Sequence, residues 1–163
     1  MRDLQQYVIT CKSELDALNI PYSKNIVVQD ADINAWGRCR RFRDGTYLIQ
    51  INSVLLSDDT NGDAGLKDTI IHELLHTVYG CMRHNTLWKH YANIVNIRYG
   101  YNISRVATCD DTGVSNDYLR NKSKYILCCD KCHTEFYRQR LCPVVQNTWR
   151  YRCHCGGTIQ RIK

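Results

Sequence analysis

Residues 71–91 read IHELLHTVYGCMRHNTLWKHY. His72 and His76 stand four positions apart, and Glu73 follows the first of them. On a helix, residues at i and i+4 share a face about 6 Å apart along the axis. Both imidazoles can therefore be directed at one Zn²⁺, which takes nitrogen ligands in tetrahedral array. The carboxylate can then reach a water on the metal without ligating the metal, and take its proton as it attacks a carbonyl carbon. That chemistry is hydrolysis. A bare HExxH also arises on ordinary solvent-facing helices, but here the motif sits at the centre of a periodic helix, and Leu74 and Leu75 suit a packed side.

A tetrahedral site needs a third protein ligand. Between Thr77 and Cys109 there is no Asp or Glu, so the downstream glutamate used by thermolysin-like proteases is missing. The metzincin spacing fails too, because Tyr79 and Met82 occupy the positions where glycine and histidine are required. Cys81, His84 and His90 remain. His84 follows a turn containing Gly80 and opens the next helix, so the turn can bring it back to the metal; His90 falls inside that helix.

The elements that must position these groups are legible as patterns. Leu4, Val8, Cys11, Leu15 and Leu18 recur at helical spacing, predicting a helix over residues 2–18 that ends before Pro21. Residues 26–29 form a short β-like run. Residues 35–43 and 46–52 flank Asp44-Gly45, a favoured hairpin turn. The polar stretch SDDTNGDAG leads into a helix over residues 66–79, whose stripe is Leu66, Ile70, Leu74, Thr77 and Val78. A second helix is expected over residues 86–99. The pattern predicts an α+β fold with a small antiparallel sheet over residues 1–106, then a polar linker at 107–118 and a separate unit at 119–163.

That last unit reads as a zinc ribbon. Six of the ten cysteines fall between Cys128 and Cys155. Cys129 and Cys132 make an ordinary C-x₂-C knuckle; Cys153 and Cys155 make a tighter C-x-C pair, with His154 as a substitute for one of them and Cys128 as the rival of Cys129. Cys142 stands alone before Pro143. Structural zinc contributes on the order of 10–16 kcal/mol to small units, and a segment this poor in large aliphatics needs such support. Cys11, Cys39, Cys81 and Cys109 are scattered, as buried small hydrophobes are.

Charge follows the same division. Residues 1–117 hold 12 Lys/Arg against 14 Asp/Glu, whereas residues 118–163 hold 10 against two, so the last unit carries all of the net +6 and more. Lys122, Lys124, Arg138, Arg140, Trp149, Arg150 and Arg152 are its candidate nucleic-acid contacts, basic groups interleaved with aromatic ones. No run approaches the roughly 18 apolar residues of a membrane helix. The N-terminus lacks the apolar stretch of a signal peptide, so the expected location is intracellular rather than secreted.

From about Trp36 onward the chain resembles the SprT-like (Spartan-related) zinc metalloproteases. The resemblance lies in GRCRR…DGTYLIQINSVLL, then IHELLHTV, then the histidine opening HNTLWKHYANIVN, then the cysteine segment, all in the family's order. It implies a zincin-type core, His72, His76 and His84 as ligands of a catalytic Zn²⁺, Glu73 as general base, and a second, structural Zn²⁺ in the ribbon. It also implies protein substrates bound or crosslinked to DNA, with DNA as activator; the interleaved aromatics, able to stack on exposed bases, suit single-stranded or distorted DNA. In zincins the substrate commonly pairs with an edge strand beside the motif helix, for which residues 35–43 or 46–52 are candidates. Two alternatives stand beside it: a nucleic-acid-binding ribbon protein whose HExxH site is idle, and a deformylase-type hydrolase in which Cys39 is a ligand.

Overall fold

The computed structural model describes residues 1–57 and 63–163; residues 58–62 of the expected polar loop lie outside them. The chain divides into two compact units, Met1–Val114 and Ser115–Lys163.

The first unit is built around one helix. Helix α1 (Leu4–Ala17) is capped by Asp3, whose carboxylate accepts the Gln5 N–H, and it buries Leu4, Val8, Cys11 and Leu15. Strands β1 (Ile26–Ala31), β2 (Gly37–Arg41) and β3 (Tyr47–Asn52) follow, then a 3₁₀ turn, Ser53–Leu56. Helix α2 (Ala64–Leu75) carries the motif and buries Leu66, Ile70, Ile71, Leu74 and Leu75. Helix α3 (Thr86–Tyr99) begins at Asn85, whose side chain accepts the Trp88 N–H, and ends at Gly100 with φ +72°. The short α4 (Cys109–Thr112) is closed by a capping box between Thr108 and Asp111.

The sheet order is β1-β3-β2. Strands β2 and β3 form the antiparallel hairpin expected around Asp44-Gly45, with Gly45 at φ +85° and the Asp44 carboxylate accepting the Thr46 N–H. Strand β1, however, runs parallel to β3, so the sheet is mixed rather than antiparallel. The cause is the path of residues 32–36. Asn52, at the end of β3, donates its side-chain amide to the carbonyls of Ile33 and Ala35 and its backbone N–H to that of Trp36. This carries the chain across the end of β3 and leaves β3 in the centre. Tyr47, Ile49 and Ile51 are buried there. Residues 46–52 are consequently not an edge; among the described residues the edges are β1 and β2, of which β2 lies beside the motif residue Glu73.

Two further expectations change. The motif helix ends at Leu75 rather than Tyr79, because the Thr77 hydroxyl and N–H both turn back to the Leu74 carbonyl and Gly80 takes φ +81°. The expected linker at 107–118 is partly helical. Its Cys109 and Thr112 are buried, and α4 lies so close to α2 that a Cβ on Gly65 would sit 2.4 Å from the Thr112 Cα.

The second unit begins with α5 (Asn116–Lys122), followed by β4 (Tyr125–Cys129) and β5 (Glu135–Arg138). It continues through α6 (Pro143–Gln146) to β6 (Ile159–Arg161), and the antiparallel sheet order is β5-β4-β6. Its core is small: Leu127, Cys129, Val145, Cys153 and Ile159. Among the described residues no helix is long and apolar enough to cross a membrane.

Candidate metal centres

His72 lies in the last turn of α2, His76 caps its C-terminus, and His84 is delivered by the turn that precedes α3. Asn85 holds that turn, donating its side-chain amide to the Gly80 carbonyl while capping α3. The three rings meet through their Nε2 atoms: 2.9 Å separates His84 from His72 and 3.3 Å separates His76 from His72. His90 is exposed and lies against Tyr91, outside this group. Cys39 is outside it as well.

Backbone carbonyls set the ring orientations. The His72 Nδ1 lies 3.0 Å from the Ser104 oxygen and the His76 Nδ1 lies 2.8 Å from the Cys81 oxygen. A carbonyl cannot donate, so each proton sits on Nδ1 and each Nε2 is bare. Two bare lone pairs 3.3 Å apart repel unless a cation lies between them. A tetrahedral zinc with Zn–N distances of about 2.05 Å has N···N edges of about 3.3 Å, and the set fits that ion. Burial, reinforced by the neighbouring His76 and His84, drives the His72 pKa down to about 3. Burial lowers those of His76 and His84 too. Each shift favours the neutral ring, the form that binds metal.

Glu73 projects toward β2. It is buried, and a Cβ on Gly37 would lie 2.6 Å from its Oε1, so only glycine leaves room for the carboxylate there. Burial pushes its pKa up to about 8, opposed by the Arg38 guanidinium and by the Cys39 N–H that the carboxylate accepts.

Residues that sequence patterns do not single out complete the site. Trp88 is fully buried, with its ring centroid 4.6–5.6 Å from those of all three histidines. Ser104 is held in place by Asn96, whose side chain makes two hydrogen bonds with the Ile103 backbone. A histidine followed four residues later by a tryptophan, on the helix that delivers it, was the available signal for Trp88. Nothing local marks Ser104. Cys81 takes part through its carbonyl only.

In the second unit Cys129, Cys132, Cys153 and Cys155 bring their sulfurs within 4.8 Å of one another. The Cys129–Cys155 and Cys132–Cys153 separations are 3.5 and 3.6 Å. Zn–S bonds of about 2.3 Å give tetrahedral S···S edges of about 3.8 Å, so these four could hold a zinc ion. Both members of the C-x-C pair belong to the cluster. Gly157 makes this possible, since a Cβ there would lie 2.6 Å from the Cys129 sulfur, and Gly156 turns the chain at φ +81°. Thr158 then ties the second knuckle to the first through its N–H and hydroxyl, both donated to the Asp130 carboxylate. His154 and Cys128 lie outside the cluster; the Cys128 thiol is directed at the Cys129 carbonyl. Cys142 caps α6 and is half-buried against the small core. The Thr134 hydroxyl and N–H hold the Cys132 thiol down at about 6, which favours thiolate.

Among the expected nucleic-acid contacts, Lys124, Arg138, Arg140, Trp149, Arg150 and Arg152 are exposed, and Lys122 is half-buried with its ammonium 5.4 Å from the Tyr118 ring. The chain matches no protein-family model and no curated protein sequence.

Proposed function

We propose that this protein is a zinc-dependent endopeptidase of the SprT-like type, acting on proteins bound or crosslinked to DNA. One observation carries the reading: the Nε2 atoms of His72, His76 and His84 converge, those of His72 and His76 bare, while Glu73 lies buried between the motif helix and an edge strand. Zn²⁺ held by the three imidazoles would supply Lewis acidity toward a peptide carbonyl and toward water.

The chain's own groups do the rest. Gly37 admits the Glu73 carboxyl; burial holds its proton, Arg38 and the Cys39 N–H oppose that, and the charge of a bound Zn²⁺ would further favour the carboxylate. Glu73 then accepts a proton from the attacking water and returns it to the departing amine. Strand β2 orients the substrate. Phe42 donates to Thr46 and Asn52 donates to Trp36, so even-numbered residues of β2 bond β3. Gly37, Cys39 and Arg41 therefore turn their backbone groups away from β3; Glu73 takes the Cys39 N–H, and the groups left over can pair with an extended peptide. On the DNA side, support comes from the 10 Lys/Arg against two acids in residues 118–163 and from exposed Trp149 and Tyr151, suited to stack on unpaired bases.

The test is casein cleavage by the full chain with and without single-stranded DNA, beside Glu73→Gln. The variant keeps every ligand, so it should retain zinc and lose about 10²–10⁴-fold in rate. Wild-type rates in Glu73→Gln would sink the mechanism. A zinc-loaded wild type that binds DNA and cleaves nothing would favour the second reading, a nucleic-acid-binding ribbon protein with an idle site, for which the same exposed aromatics speak.

A further inference from the structure

We propose that a cleft headed by Arg41 and Arg83 is a specificity subsite that takes an acidic side chain of the substrate polypeptide, about four residues from the scissile bond. The proposal rests on the endopeptidase reading and adds a substrate class to it.

The cleft encloses about 440 Å³ between the end of the β2–β3 hairpin and the turn that follows α2. Tyr47, Val78 and Met82 supply apolar wall, the two arginines supply charge, and among the described residues no acidic one lines it. Neither guanidinium takes part in an ion pair among the described residues. Arg41 is held over the Tyr47 ring, 5.9 Å from its centroid. Arg83 comes from the turn that delivers His84, and its carbonyl accepts the Asn85 N–H at 2.7 Å. Two unpaired guanidinium groups beside apolar wall suit a carboxylate on a short aliphatic stem.

Strand β2 links the cleft to the chemistry. Gly37, Cys39 and Arg41 stand opposite Ile51, Ile49 and Tyr47, the buried face of β3, so they share the sheet face that Glu73 reaches. Glu73 lies over Gly37. Arg41 is four residues on, roughly 13 Å along an extended strand. A peptide paired to the free edge keeps step with β2 and sends every second side chain to the same face. The side chain four positions from the one beside Glu73 therefore reaches Arg41. A nucleic-acid phosphate would also be drawn by the charge, but it has no use for the apolar wall and no register with β2.

The test is binding, so it does not depend on turnover. Zinc-loaded full-length Glu73→Gln is titrated by fluorescence anisotropy with acetylated, amidated, labelled eight-residue peptides of Ala, Val and Thr. One Glu is walked along the sequence, with Gln as control at each position. One Glu position should bind about fivefold or more tightly than its Gln control, as a partly sheltered ion pair allows. That advantage should shrink with salt and vanish in Arg41→Ala/Arg83→Ala; both side chains are exposed, so the variant should melt as the parent does. Arg41→Glu/Arg83→Glu should prefer Lys at the same position. The proposal is overturned if no peptide binds, if no Glu position exceeds its control, or if the advantage survives the double variant. It is equally overturned if the double variant loses affinity for a short labelled oligonucleotide, titrated beside the peptides, while its peptide affinities stay unchanged. A Glu advantage without any cleavage by wild type would keep the subsite and remove the protease; cleavage without acidic preference would do the reverse.

Discussion

Imidazole nitrogens stripped of their protons do not gather without a positive charge, and that makes His72, His76 and His84 the most informative residues in the chain. The Ser104 and Cys81 carbonyls commit the protons of His72 and His76 to Nδ1, and all three rings stand around Trp88. Trp88 also has a buried indole N–H with no hydrogen-bond partner among the described residues, so its contribution is shape. Trp88→Ala should lower stability by about 3–5 kcal/mol and weaken zinc binding. Trp88→Phe should keep zinc and cost far less, since no hydrogen bond is lost; urea melts and chelator competition read the two effects. A Phe variant as damaged as Ala would show that the N–H matters after all. HELLH was legible because helical spacing is local, and His84 because acids are absent downstream and Gly80 permits a turn. Trp88 and Ser104 were not, since their roles exist only once α3 and the segment after it fold back on α2.

At the scale of elements, two glycines set how closely the motif helix can be approached. Gly37→Ala should push the Glu73 side chain aside while leaving the histidines alone. Zinc content should hold and cleavage should fall by about a hundredfold, the loss expected from a displacement near 1 Å; unchanged cleavage would put the base elsewhere. At Gly65 the atom in the way is the Thr112 backbone, which cannot swing clear. Gly65→Ala should therefore cost about 1–3 kcal/mol in a thermal or urea melt, with no direct effect on the base. The same scale separates what periodicity reveals from what it hides. The Asp44-Gly45 hairpin and helix α3 followed from local turn and spacing rules. The parallel pairing of β1 did not, because it depends on Asn52 holding residues 33–36 across the end of β3. The early end of α2 escaped because Thr77 fits the apolar stripe, yet its hydroxyl closes the helix at Leu74.

For the whole molecule, the sequence's sharpest asymmetry is also its division of structure: two compact units, each with its own convergent donor set. Three nitrogens and a carboxylate suit an open, reactive centre, whereas four thiolates close the coordination sphere and serve folding. Removing one ribbon ligand should then act on one unit. Cys132→Ser should cost one zinc per chain, broaden the NMR signals of residues 115–163, and weaken salt-dependent binding to single-stranded DNA. The histidine site should stay loaded. DNA binding of unchanged affinity and salt slope in that variant would mean the basic surface lies elsewhere. The central claim, that the chain holds a histidine zinc centre and a separate cysteine one, is tested most directly by zinc stoichiometry of the full chain and of His84→Ala. Two zinc ions per wild-type chain and one in the variant, with the remaining ion bound by sulfur alone, is the expected result. A single zinc in the wild type bound only by sulfur, or two in His84→Ala with undiminished affinity, would contradict it.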